Sequence, residues 1–138
     1  MQGLKFHHLG LACQDIEEAK AYLSLHMNVQ GWSETVFDPL QQAWLCIGKL
    51  EEGPELELIA GDVVRNYVKR GMFLYHTCWQ VADLEQAVQS LEKQGHRVVS
   101  APKKTVLFAG RQVAFLHSEI LGLMELVETD GGEAKGAV

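Results

Sequence analysis

The chain has 138 residues, 47% hydrophobic and 22% charged, which describes one soluble globular domain and excludes a disordered tail protein or a disulfide scaffold. Its formal net charge is −6 and no stretch gathers Lys or Arg into a stripe, so nucleic acid and anionic membrane surfaces are excluded as expected partners. No apolar run approaches the roughly 20 residues of a membrane helix, and the opening residues lack a signal-peptide pattern.

Residues 5–13 read as a strand, with Leu9, Leu11 and Cys13 on one face and His8, Gly10 and Ala12 on the other. Asp15, with Glu18 three positions on, predicts the cap of a helix over 16–27 whose apolar face is Ile16, Ala19, Tyr22 and Leu23, with Asn28 at its end. Strands are expected near 31–37, 42–48 and 55–60, the last placing Glu55, Glu57 and Ile59 on one face. A short helix over 62–70 links to a strand at 73–81 that carries His76, Cys78 and Gln80 together. Asp83 caps a second helix, 84–94, with Leu84, Ala87, Val88 and Leu91 as its buried stripe and Gly95 as its stop. Strands near 97–101, 111–117 and 122–128 follow, and the tail 129–138 is small, polar and expected to fray.

These elements repeat. His8 and His76 are 68 residues apart, and so are Glu57 and Glu125. Asp15, Ile16, Glu17, Ala19 and Leu23 map by the same shift onto Asp83, Leu84, Glu85, Ala87 and Leu91. The expectation is an α+β fold of two βαβββ modules, about 5–60 and 73–128, forming a curved eight-stranded mixed sheet around a cavity as a single domain. Alternation sends Leu9, Leu11, Leu56, Leu58, Thr77, Trp79, Met124 and Leu126 toward the helices. His8, Glu57, His76 and Glu125 are thereby directed to the opposite face. Two carboxylates meeting in a partly apolar cavity call for a compensating cation. The imidazole and carboxylate donors suit one divalent ion, Co, Ni, Zn, Mn or Fe. His7 lies on the helix-facing parity at the strand start, His26 at a helix end and His96 beside a turn, while His117 is expected at the cavity rim; none of the four reads as a ligand. Cys13, Cys46 and Cys78 are widely spaced, without a C-x-x-C pair, and read as reduced core thiols of a cytoplasmic protein. Arg111, Lys103 and Lys104 are the candidate grips for an anionic substrate group, and Cys78 and Gln80 share the face of His76.

The stretches His8-Leu9-Gly10-Leu11-Ala12, Leu56-Glu57-Leu58-Ile59, Tyr75-His76-Thr77-Cys78-Trp79 and Gly110-Arg111-Gln112-Val113-Ala114-Phe115-Leu116-His117 resemble the vicinal oxygen chelate (glyoxalase/bleomycin resistance/dioxygenase) superfamily. The resemblance covers about residues 5–128 and is nearest in flavour to the methylmalonyl-CoA epimerase-like branch. It implies a metal held by His8, Glu57, His76 and Glu125, a homodimer, and an isomerase or epimerase reaction on a carbonyl substrate such as an acyl-CoA thioester, with Glu125 as base. A second base is sought in Glu34 or Asp38, although Asp38 before Pro39 reads more readily as a turn residue. The alternatives are a glyoxalase I-like lyase, against which stands Ala12 where that branch places an arginine, and a non-enzymatic drug-binding protein of the same fold.

Overall fold

The structure is a computed structural model and describes residues 3–129. Thr129 excepted, the expected frayed tail lies outside the described residues. The backbone forms two compact units, His8–His76 and the residues from Thr77 onward together with those before His8. Strands β1 (Lys5–Ala12) and β6 (Leu74–Val81) each contribute residues to both units.

In the unit His8–His76, β1 is followed by α1 (Ile16–His26), β2 (Val29–Trp32), β3 (Val36–Asp38), β4 (Ala43–Leu50) and β5 (Glu55–Gly61). A short 3-10 turn, Asp62–Val64, and α2 (Arg65–Lys69) then lead to β6. The strands lie in the order β2-β4-β5-β1, with β3 also paired to β4. Of these pairs, β1 with β5 is parallel and the others are antiparallel. The strand expected over 31–37 is split: Ser33 donates its backbone N–H to the Ile47 carbonyl, and its hydroxyl accepts from the Ile47 N–H. This side-chain substitution for a ladder bond separates β2 from β3 and gives nine strands among the described residues.

The second unit contains α3 (Leu84–Lys93), β7 (Arg97–Lys104), β8 (Gln112–Ser118) and β9 (Gly122–Glu128), with strands in the order β6-β9-β8-β7. Here too one pair is parallel, β6 with β9. The 68-residue shift holds at the level of register. Gly10 pairs with Glu57 and Cys78 with Glu125; Ile47 pairs with Glu57 and Phe115 with Glu125.

Each helix covers one face of its own strands. Leu84, Ala87, Val88 and Leu91 are all buried against Val81, Leu116, Met124 and Leu126. Asp83 accepts from the Gln86 N–H at 3.0 Å, as Asp15 accepts from Glu18 at 2.9 Å, so both helices begin on the same cap. Gly95, at φ 102°, supplies the left-handed step that stops α3. Helix α1 packs less fully. Ile16, Ala19 and Leu23 meet Cys46, Leu58 and Ala60, but Tyr22 is 59% exposed and stacks on His26 instead. Six residues on from Ile16 the helix has turned about 240° past a full circle, beyond the covered stripe. The chain leaves α1 through an extended Met27, one residue before the expected Asn28.

Cys13 sits beneath α1 with its thiol against the Ile59 carbonyl. Burial, with the Asp15 carboxylate adding to it, pushes this thiol up from 9.0 to about 11. Because the folded value is the higher one, its contribution to stability is complete below pH 9 and is lost as pH rises toward 11. A thiolate absorbance titration is expected to show one group ionising near pH 11, and Cys13→Ser to remove that step. Asp83→Ala is expected to lower unfolding free energy by about 1 kcal/mol in urea denaturation, the usual worth of such a cap.

Candidate metal centre

His8 stands on β1, Glu57 on β5 and His76 on β6, and all three belong to the unit His8–His76. The alternation that turns Leu9, Leu11, Leu56 and Leu58 toward α1 leaves His8, Gly10, Glu57 and Ile59 on the other face, in register through the β1–β5 pairing. The three side chains are buried, at 0%, 4% and 5% exposure.

Their donor atoms form a nearly equilateral triangle. His8 Nε2 is 3.1 Å from Glu57 Oε1 and 3.2 Å from His76 Nε2, and His76 Nε2 is 3.3 Å from Glu57 Oε1. The two imidazole rings are inclined at 75°, with centroids 5.3 Å apart. A ring nitrogen has one in-plane direction for a proton or lone pair, so His8 Nε2 cannot aim at both neighbours at full strength. All three atoms converge on a common point rather than forming isolated pairs. Edges of 3.1–3.3 Å are what donors about 2.0–2.2 Å from one ion make on a face of its coordination shell. The donor set, two imidazoles and a carboxylate, is chemically suited to a borderline divalent metal, so the residues present fit such an ion.

Gly10 makes room for this arrangement. A Cβ at Gly10 falls 2.2 Å from Cε1 and 2.6 Å from Nε2 of His76, so any side chain there displaces the ring. The His76 ring also meets Tyr75, which lies edge-on at 5.0 Å and itself rests against Tyr67 at 4.9 Å.

The other residues singled out from the sequence fall in different surroundings. Glu125 is buried on β9 of the second unit, in the register position that Glu57 takes in the first. Cys78 is fully buried with Val113 and Val127, with Phe108 packed on them. Gln80 is half-buried and lines a cleft with Gly3, Lys5, Asp83, Gln86 and Thr129. Arg111 donates from Nε to the Phe108 carbonyl at 3.0 Å and from a terminal nitrogen to the Glu128 carbonyl, with its guanidinium over the Phe108 ring. The guanidinium therefore ties the 108–110 turn to the end of β9, a use invisible without the fold. Asp38 is buried, accepting from the Leu40 N–H and from Gln41 Nε2 at 2.8 Å, which is the turn role. Glu34 lies in the exposed link between β2 and β3. Gly10, which strand alternation already places on the His8 face, is the small residue that leaves room there, and only the fold shows that His76 fills it.

Gly10→Ala is expected to leave the protein folded but to lower its affinity for a divalent ion at least tenfold, measured by competition against a chromophoric chelator. His26→Ala, on exposed α1, is expected to leave that affinity unchanged.

Residues 7–115, most of the chain, match the family model of the Glyoxalase/Bleomycin resistance protein/Dioxygenase superfamily. No curated protein matches. Among solved structures, a hypothetical protein from Bacillus halodurans superposes with a TM-score of 0.74 at 24% identity, over 99% of each chain. Methylmalonyl-CoA epimerase from Mycobacterium tuberculosis gives 0.77 at 21% identity, over 99% of this chain and 97% of that one. Streptomyces coelicolor methylmalonyl-CoA epimerase in complex with 2-nitronate-propionyl-CoA gives 0.73 at 22% identity, over 91% and 98%. At these identities the structural likeness establishes the α+β, glyoxalase-like fold. With the fold and the family match in agreement, the chain belongs to the Glyoxalase/Bleomycin resistance protein/Dioxygenase superfamily.

Proposed function

We propose that this protein is a metal-dependent isomerase or epimerase that moves a proton on the carbon next to a carbonyl, with an acyl-CoA thioester as the substrate class. The observation that carries the reading is the buried triangle of His8 Nε2, Glu57 Oε1 and His76 Nε2. Three ionisable side chains withdrawn from water at this spacing are costly unless a cation joins them.

His8, Glu57 and His76 would hold the ion, and Glu125, the counterpart of Glu57 in the repeat, is the proposed fourth ligand. When bound, a divalent cation polarises the carbonyl of a substrate and offsets negative charge growing on its oxygen. Glu125 serves as the base. Its carboxylate oxygen takes the α-proton while the C–H pair moves toward the carbonyl; isomerisation follows when the same carboxyl returns the proton to the neighbouring carbon, whereas inversion at the α-carbon requires a second acid on the opposite face. The thioester assignment draws support from the Streptomyces coelicolor epimerase, which was solved with 2-nitronate-propionyl-CoA.

Metal analysis of the purified protein is expected to return one divalent ion per chain, and His76→Ala less than about a tenth of that. In deuterated water, the metal-loaded protein is expected to exchange the α-proton of a 2-methyl-branched acyl-CoA. Glu125→Gln, which keeps a ligating oxygen, is expected to slow that exchange by about 10²–10⁴-fold, the usual worth of a positioned base. No exchange with any acyl-CoA tried, or ligand uptake that survives chelation without turnover, would sink the enzymatic reading.

A further inference from the structure

On the face that carries His8 and Glu57, the strand register names the neighbours of the metal-binding carboxylate. Ile47 of β4 is the residue directly paired with Glu57. Such partners hold their Cβ atoms about 4.5–5.5 Å apart. In one direction along the same face the surface is closed: Leu45, Ile59 and Ala43 are buried, and the Asp38 carboxylate is engaged by Leu40 and Gln41. Ile47 itself is only half-buried, and so is Val36, which pairs with Leu45 beside it. In the other direction, one strand step further, Lys49 pairs with Glu55, and the apolar surface ends on a charged pair.

Two further observations bear on Ile47. Its backbone is held on both sides by Ser33, whose hydroxyl accepts from its N–H at 2.8 Å and whose N–H donates to its carbonyl at 2.7 Å. The repeat also supplies an internal comparison. Phe115 occupies the equivalent position opposite Glu125 and is buried, so the same site in the second copy is filled by an aromatic ring. The first copy has a smaller side chain on a firmly held backbone, only half-buried, beside the Glu57 carboxylate.

We infer that Ile47, backed by Val36, is the specificity-determining wall against which a chelated substrate lays its alkyl substituent, and that the Lys49–Glu55 pair sets the length this substituent can reach. The substrate class is thereby narrowed to carbonyl compounds with a short, uncharged alkyl group near the chelating oxygen. The inference rests on the metal-centre reading above.

The test separates the two. Protein loaded with cobalt(II) is titrated with straight-chain alkyl hydroxamates from aceto- to octano-hydroxamate, and binding is read from the visible spectrum. In the wild type, Kd is expected to fall about three- to fourfold per methylene while the chain lies on the wall, and then to level off. Ile47→Ala is expected to shift the levelling point to longer chains. Ile47→Trp is expected to weaken butyro- and hexano-hydroxamate at least tenfold while leaving acetohydroxamate within twofold. If either variant fails to fold, Ile47→Val, expected to move the levelling point by about one methylene, replaces it. Cobalt and acetohydroxamate binding with one unchanged chain-length profile in every variant would overturn the wall alone. Failure of the wild type to take up cobalt would overturn the metal centre and the wall with it.

Discussion

Three side chains that water would normally keep apart are packed within 3.3 Å of one another with almost no solvent contact. This convergence is the constraint to which the surrounding structure answers. Burying imidazoles and a carboxylate so closely is unfavourable unless their charges and lone pairs find a common partner. The position is nonetheless built with care. Gly10 gives up a side chain that would strike the His76 ring, and Tyr75, resting on Tyr67, lies edge-on to that ring. The parallel β1–β5 pairing keeps His8 and Glu57 on one face while Leu9, Leu56 and Leu58 are directed to the other. A shift of register by one residue would send all of them to the wrong side.

Duplication explains how such a precise arrangement can be assembled from simple parts. In each unit, one parallel strand pair, one helix on an aspartate cap and one strand glutamate recur with the same pairing partners. The copies have then diverged where chemistry differs. Gly10 answers to Cys78, and Ile47 to Phe115. One member of each couple is small or partly exposed; the other fills its own core.

Membership of the Glyoxalase/Bleomycin resistance protein/Dioxygenase superfamily fixes the frame but not the reaction, since one fold serves many chemistries. Two imidazoles and a carboxylate are donor types that suit a borderline divalent metal, and the half-buried Ile47 is the residue paired with that carboxylate. Arg111 holds backbone carbonyls, and Cys78 fills a core made of Val113, Val127 and Phe108.

The spacing of His8, Glu57, His76 and Glu125, the helix caps at Asp15 and Asp83, and the buried stripe of α3 were all legible in the chain itself. They depend on local periodicity and on a repeat, and both are written along the sequence. The tertiary structure alone decided which atoms meet. Whether His8 and His76 present Nε2 to Glu57, whether the space under His76 requires a glycine, and whether Ile47 or a bulkier residue adjoins the carboxylate are set by strand register and by side-chain packing. Those are contacts between residues tens of positions apart, and their free energies exist only once the strands have paired.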